Sequence, residues 1–526
     1  MSYIEGFDRK QAVLFPPAID SMIAEDNEIR FIDLFVDKLD LGAMGFRLRP
    51  CGANGRPSYR PSDLLKLYIY GYLNRIRSSR ALERECGRNI ELMWLLRGLI
   101  PDHNTISNFR RDHSKQLKRV FRETVKTAEQ LNLIGGSLLA VDGTRVRAQN
   151  SKKNNYNQKK IDRHLKYIEE KLSEYTQALA EADGDEKQAL EEKIAEKESR
   201  KKEYEELQKQ LEESGQTQIS TSDPDSRNLM IRKGHSEVSY NVQSTVDGKH
   251  KIPIDFKLTN SNDRHQMYCM TRRASVILRS SSFTALFDKG YHTGSELEKC
   301  HQMGVKVLAS PPRPSSGSNV REGFRLSDMT YNKESDTYTC PAGETLTTNG
   351  KFYNKDKSGK NRSKQYKTKA CRACKLREQC TKSKRDRILE RTEFADAVER
   401  NAKLMEENKE LYRQRQQIVE HPFGTMKRQW GFDHIMTKKG KARASADVGL
   451  VFIAYNIRRL LSIVGIEGLK GVLEGISCYF PFFGAMRGIY LDFQPLHFLS
   501  PTFHAGFAKA LRMAYIRQYL GGIWGF

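Results

Sequence analysis

The most regular pattern in the chain is a set of apolar residues at alternating steps of four and three: Ile161, Leu165, Ile168, Leu172, Tyr175 and Leu179. That spacing is the inner seam of a helix packed on another helix. Ala182-Asp183-Gly184-Asp185 breaks it, and a second polar helix follows with Leu190, Ile194, Tyr204, Leu207 and Leu211. Lys197 and Lys201 interrupt this second seam. The pattern predicts an antiparallel coiled-coil hairpin over 157–213. Its role is a structural arm or a hold on a second subunit or on DNA.

Upstream, residues 1–133 read as an all-α domain. Pro61-Ser62-Asp63 is a helix start, followed by Leu64, Leu65, Leu67, Tyr68, Tyr72 and Leu73. Further helices follow Ser78-Ser79, run through Ile90 to Leu96, and restart after Pro101-Asp102-His103-Asn104-Thr105. The last of these leads into Arg110, Arg111, Lys115, Lys118 and Arg119. Short capped helices with basic faces suit a DNA-binding unit, with Arg110 and Arg111 as contacts. A packing domain with a solvated basic face is the alternative.

Two short apolar runs end in an acid. Leu138-Leu139-Ala140-Val141 leads to Asp142-Gly143, and Phe283-Thr284-Ala285-Leu286-Phe287 leads to Asp288-Lys289-Gly290-Tyr291. Both read as buried strands. Between them, Val238 to Val246 and Ile252 to Leu258 read as strands joined by the Asp247-Gly248 turn, and Asn260-Ser261-Asn262-Asp263 caps a helix to about Leu278. A helix over Ser295 to Met303 and a strand over Val305 to Ala309 come next, then a linker from Pro311 to Ser318. A long polar helix spans about 395–427. This order predicts an α/β fold, a mixed sheet flanked by helices. Its core comprises 134–156, 214–312 and 395–465, with insertions at 157–213 and 313–394. The apolar, aromatic stretch 466–526 receives no functional reading. If the first and fourth strands are neighbours, Asp142 and Asp288 end side by side, and the closing helix brings Glu420 to them.

Charge changes the picture. The 526 residues hold 89 Lys and Arg against 65 Asp and Glu, a net charge of +24, which points to a polyanionic partner. Val448 to Val464 contains Asn456, Arg458 and Arg459, too polar and too short for a membrane span. The start of the chain has neither the basic nor the apolar region of a secretory signal, so a cytoplasmic, nucleoid-associated protein is expected. Nine cysteines do not make a disulfide scaffold. Four of them are grouped: Cys340, the pair Cys371 and Cys374, and Cys380. They suit a tetrahedral structural Zn²⁺ or remain reduced thiols in a basic loop that includes Lys351, Lys355, Lys357, Lys360, Arg362, Lys364 and Lys367.

Carboxylates suit Mg²⁺ or Mn²⁺, hard cations that take oxygen ligands. Two such ions about 3.5–4 Å apart serve many phosphodiester-cleaving enzymes. On the last helix, Glu420 and Lys427 lie seven apart, two turns along one face, and Pro422 should kink or restart it. His421 is a proton shuttle or a bystander; Trp430 stacks on a base or packs in the core.

Taken together, Leu139-Ala140-Val141-Asp142-Gly143-Thr144, Asp288-Lys289-Gly290-Tyr291 and Ile418-Val419-Glu420-His421-Pro422-Phe423-Gly424 resemble the catalytic blocks of bacterial insertion-sequence transposases of the DDE type. More narrowly they are similar to the insertion-sequence group numbered eleven-eighty-two. The resemblance implies an RNase H-like core, with Asp142, Asp288 and Glu420 holding two Mg²⁺ or Mn²⁺ ions. It implies cleavage at transposon terminal inverted repeats in double-stranded DNA, strand transfer into target DNA, and a homodimer or higher assembly. Tyr412, Arg415 and Lys427 match the family signature around the Glu. Four residues rather than three separate Arg415 from Glu420, which leaves Arg413 as an alternative. Arg415, Lys427 and Arg428 are the DNA contacts expected there. A regulatory DNA-binding protein, or a nuclease without strand transfer, is the competing expectation.

Overall fold

The structure is a computed structural model that describes residues 18–47, 57–232, 234–312, 323–354, 362–381, 386–437 and 439–476. Most of the expected 311–318 linker, Lys355, Lys357 and Lys360 of the basic insertion, and most of 466–526 therefore lie outside the described residues.

The first part is helical: α1 (Glu28–Asp37), α2 (Pro61–Leu73), α3 (Ser79–Cys86), α4 (Ile90–Leu95), α5 (His103–Asp112) and α6 (Ser114–Gln130). Pro61 opens α2, where its missing N–H costs nothing. Asn89 caps α4, and Asp102 caps α5 by accepting from the amides of Asn104 and Thr105. These helices pack on the rest of the chain. Arg458 pairs with Glu28, Lys118 reaches Asp255, and the Tyr72 hydroxyl donates to Asp447.

β1 (Leu138–Arg147) and the short β2 (Asn155–Tyr156) follow. Then come α7 (Gln158–Glu181), α8 (Asp185–Ser214) and β3 (Ile219–Ser220), which pairs with β2 at the base of the helical hairpin. The seam residues Ile161, Ile168 and Leu211 are buried, and most other positions of the arm face solvent.

The central sheet adds β4 (Arg227–Arg232), β5 (His235–Asp247), β6 (Pro253–Thr259), β7 (Thr284–Phe287) and β8 (Lys306–Ala309), with α9 (Met267–Leu278) and α10 (Gly294–Gln302) between its later strands. Its order is β4-β5-β1-β7-β8, with β6 also on β5. β5 runs antiparallel to β1; β7 is parallel to β1, and β8 to β7. The first and fourth expected strands are thus neighbours.

The insertion expected only as a basic loop forms a second, five-stranded antiparallel sheet. Its members are β9 (Thr330–Asn332), β10 (Thr337–Thr339), β11 (Thr345–Asn354), β12 (Arg362–Lys367) and β13 (Leu389–Thr392), in the order β13-β12-β11-β10-β9. α11 (Arg377–Cys380) lies between β12 and β13. Its core is small: Met329, Tyr338, Leu346, Tyr366 and Leu389.

The single helix expected over 395–427 is two, α12 (Ala395–Glu407) and α13 (Lys409–Gly424). The break falls at Asn408, whose side chain turns back to the Leu404 carbonyl. α12 is fixed to β8 through Asn401, which bonds both the N–H and the C=O of Ala309. α13 continues through Pro422 and loosens into a π-helical turn over Thr425–Gln429. Ile418 and Val419 pack from α13 onto Ala140, Val246, Leu286 and Leu308.

α14 (Lys441–Ile476) is broken at Gly465, whose φ is +76°. Its 31-residue stretch Lys441–Gly471 is long and apolar enough by composition to cross a membrane, contrary to the expectation from sequence. Leu450, Ile453, Ala454, Ile457 and Leu460 are nevertheless sealed in the protein core, which accounts for that apolarity without a bilayer. The chain divides into a unit ending at Lys470 and a second, Gly471–Phe526, described only to Ile476.

Candidate active site

Sheet register sets the two aspartates beside each other. Val141 on β1 is paired with Phe287 on β7, so Asp142 and Asp288 are the next residues on adjacent parallel strands. Asp142 stays in β1, opposite Ser244 of β5. Asp288 leaves β7, and its carboxylate caps the turn Lys289–Tyr291 by accepting from the Lys289 amide at 2.7 Å.

Side chains alternate between faces along β1. Ala140, Asp142 and Thr144 share the face that meets α13: Ala140 packs on Ile418 and Val419, Asp142 Oδ2 lies 3.5 Å from Arg415 Nη1, and Thr144 Oγ1 accepts from Lys427 Nζ at 3.1 Å. Burial pushes the Asp142 carboxyl up to about 6; Arg415 pulls it down, while Asp263 and Asp288 push it further up. This acid is short of positive charge.

Glu420 is less committed. It sits on α13 next to the buried Val419, but its side chain is exposed and accepts from Gln416 at 2.7 Å. Among the described residues no hydrogen bond or ion pair joins it to Asp142 or Asp288, and no group of three or more His, Cys, Asp and Glu side chains is closed tightly enough to hold an ion. The donor set still fits a hard cation: a carboxylate on β1 and one at the end of β7 are adjacent by register, the first partly buried, with one arginine nearby.

The basic residues divide. Arg415 reaches Asp142, whereas Arg413 is turned to solvent with Glu410. Tyr412, one turn before Arg415, donates to the Phe287 carbonyl at 3.0 Å. Lys427 also donates to the Arg145 carbonyl at 2.9 Å, and burial lowers its pKa. Arg428 is exposed, and Arg111 is bound to Asp112 at the surface. Arg110, expected as a DNA contact, is instead buried. It donates to the Tyr72 hydroxyl and the Arg77 carbonyl, and lies 3.5 Å from the fully buried Asp447. A cation enclosed with its counter-ion is unavailable to a phosphate. His421 bonds Tyr455, and Trp430 lies against the same tyrosine.

Asp263, expected as a helix cap, does something else. α9 begins later, at Met267, and Asp263 accepts from Asn241, Gln243 and Arg145. It is one of two carboxylates, with Asp288, that raise the Asp142 pKa electrostatically. Sequence gave no sign of this, beyond the presence of Gly143 immediately after Asp142.

In the five-stranded module, Cys340, Cys371, Cys374 and Cys380 line one cavity with Leu346 and Leu376. All four are free thiols, and Arg387 approaches Cys380 Sγ at 2.8 Å.

Comparison with known proteins adds two matches. The family described as "Transposase DDE domain" matches residues 339–461, and "Transposase domain (DUF772)" matches residues 17–112. No curated protein sequence matches significantly. Among solved structures, a piggyBac transposase synaptic complex with hairpin DNA aligns over 95% of this chain and 86% of that one, at 12% identity and a TM-score of 0.31, a likeness too slight to identify a fold. The two domain matches, one in the N-terminal helices and one running from the cysteine module through the Glu420 helix into α14, support an insertion-sequence transposase.

Proposed function

We propose that this protein is a DDE transposase of the insertion-sequence group eleven-eighty-two. In this reading it cuts double-stranded DNA at transposon ends and joins the freed 3′ ends to target DNA, with Asp142, Asp288 and Glu420 as its metal-binding acids. The observation that carries the reading is the pairing of β1 with β7, which leaves Asp142 and Asp288 adjacent in a chain of net charge +24. The order β4-β5-β1-β7-β8, with β5 antiparallel to β1, β4 and β6, and β7 and β8 parallel to β1, supports an RNase H-like core.

Bound Mg²⁺ or Mn²⁺ would supply an activated water and charge relief at the leaving oxygen. The rest falls to the chain. Asp142 would hold the ions from β1, Asp288 from the turn after β7, and Glu420 from α13. Arg415 meets a DNA phosphate beside Asp142. Lys427, anchored on Thr144 and Arg145, keeps positive charge against β1. Arg111 and Arg428 contribute to DNA binding from the surface, and pairing two transposon ends requires at least two subunits.

The test is a labelled transposon end incubated with the protein, Mg²⁺ and a target plasmid. The reading expects both a cleaved end and a joined product. Cleavage without joining leaves a nuclease; neither product contradicts the reading.

For 313–394 we propose a structural Zn²⁺ held by Cys340, Cys371, Cys374 and Cys380. A sheet with a core of five residues gains from a metal tie, and the four thiols already share one cavity. Elemental analysis should find zinc in the purified protein and lose it in Cys374→Ser; protein free of zinc contradicts this.

A further inference from the structure

Asp263 lies in the turn after β6, and its side-chain hydrogen bonds run to β5 and β1. Its Oδ1 accepts from Asn241 Nδ2 at 2.8 Å and Gln243 Nε2 at 2.7 Å; its Oδ2 accepts from Arg145 Nη1 at 3.1 Å. Asn241 and Gln243 are two apart on β5, fully buried, and paired in register with Arg145 and Gly143 of β1. The carboxylate therefore rests on the face of β1 opposite to the one bearing Asp142.

Gly143 makes that seat. A Cβ there would stand 2.3 Å from Asp263 Oδ1 and 2.4 Å from Gln243 Nε2, so the carboxylate fills the space of the missing side chain. The network also reaches the other acid. The Tyr291 hydroxyl donates to Gln243 Oε1, and Tyr291 ends the turn that Asp288 begins. A continuous line of bonds thus runs from the Asp288 turn through Tyr291, Gln243 and Asp263 to Arg145 on the Asp142 strand.

We infer that Asp263 is a positioning residue for the acidic site, fixing β1 around Gly143 and the turn after β7 in one frame from behind. The inference rests on the reading of Asp142 and Asp288 as metal-binding acids. The chemistry calls for a carboxylate because an ionised acid accepts only, and here it meets three donors. An asparagine would set an N–H₂ against at least one of them. Asp263 is not itself assigned as a ligand, since both of its oxygens are engaged and Arg145 balances its charge.

The test compares wild type, Asp263→Asn, Tyr291→Phe and Asp142→Asn for direct Mn²⁺ binding by electron paramagnetic resonance, alongside melting temperature and DNA affinity. Loss of a residue that orients metal ligands costs roughly 10–100-fold in metal affinity, and that range is expected for folded Asp263→Asn with DNA affinity unchanged. Tyr291→Phe keeps its shape and loses one link, so it should fold and weaken Mn²⁺ binding in the same direction by a smaller factor. A purely structural brace would lower the melting temperature and leave Mn²⁺ affinity of the folded protein intact. Wild-type Mn²⁺ affinity in both Asp263→Asn and Tyr291→Phe overturns the inference alone. Wild-type affinity in Asp142→Asn overturns the reading beneath it, and the inference with it.

Discussion

Asp255, fully buried, and Asp142, partly buried, are both acids of the central sheet, and they end in opposite electrostatic states. Asp255, on β6, is fully buried among Lys118 at 2.9 Å, Arg273 at 2.5 Å and Arg122 at 4.0 Å. Burial works to raise its pKa, but Lys118 and Arg273 more than reverse this and hold the carboxyl below its ordinary value. Among the described residues Asp142 has one cation close by, Arg415 at 3.5 Å, and the Gly143 amide, with Asp263 and Asp288 adding negative charge, so burial prevails and the carboxyl rises to about 6. An acid enclosed with its own cations ties elements together, here α6 and α9 to β6. An acid without enough of them holds its proton to higher pH, as Asp142 does, and that is the state expected of the metal ligand proposed above.

Substitutions at each of the two acids test the contrast. The largest effect is expected at the cation-poor end. Asp288→Asn should lower end cleavage by about 10²-fold or more, the scale of losing one charge-stabilising group, with little change in stability. A cleavage assay normalised to folded protein checks this; near-normal cleavage would mean that Asp142 works without its neighbour. At the cation-rich end, Asp255→Ala strands Lys118 and Arg273 and should cost about 3–5 kcal/mol in urea unfolding. A loss under about 1 kcal/mol would show that the pairs contribute nothing net.

The pH dependence sharpens the contrast. Because the folded-state pKa of Asp255 is depressed, its contribution to stability is full above the unfolded carboxylate pKa near 3.9 and is lost as pH falls through the lower folded value. Asp255→Asn should therefore be less stable than wild type near neutrality and show a shallower further loss on acidification, measured by melting temperature from pH 7 to pH 2. Parallel curves for the two proteins would remove Asp255 from the explanation. The smallest effect belongs to Arg413, whose pair with Glu410 is exposed: Arg413→Ala should change stability by less than about 0.5 kcal/mol and leave cleavage unchanged. Loss of cleavage there, with Arg415→Ala unaffected, would reverse the roles of the two arginines.

Much of this arrangement is legible along the chain, and the illegible parts share a cause. The helical hairpin follows from its seam, since a period of three and four is a local property. β1 and β7 follow from apolar runs, and Asp142 and Asp288 are visible because each ends one. Arg110 looks like a surface charge until Asp447 closes on it from a helix more than three hundred residues later. Asp263 looks like a cap because an Asx residue ahead of a helix is usually one; its partners come from β1 and β5, which no local pattern reveals. The five-stranded sheet escaped because its strands are short and mostly polar, with five core residues spread from Met329 to Leu389. The break at Asn408 lay within a continuous polar helical pattern and depends on the anchoring of α12 by Asn401.

The role of Asp142 is tested most directly by Mg²⁺-dependent cleavage of DNA carrying the cognate ends, by wild type and by Asp142→Asn. Wild type should cut, and Asp142→Asn should bind the same DNA without cutting it. An Asp142→Asn protein that cuts at the wild-type rate would contradict the account.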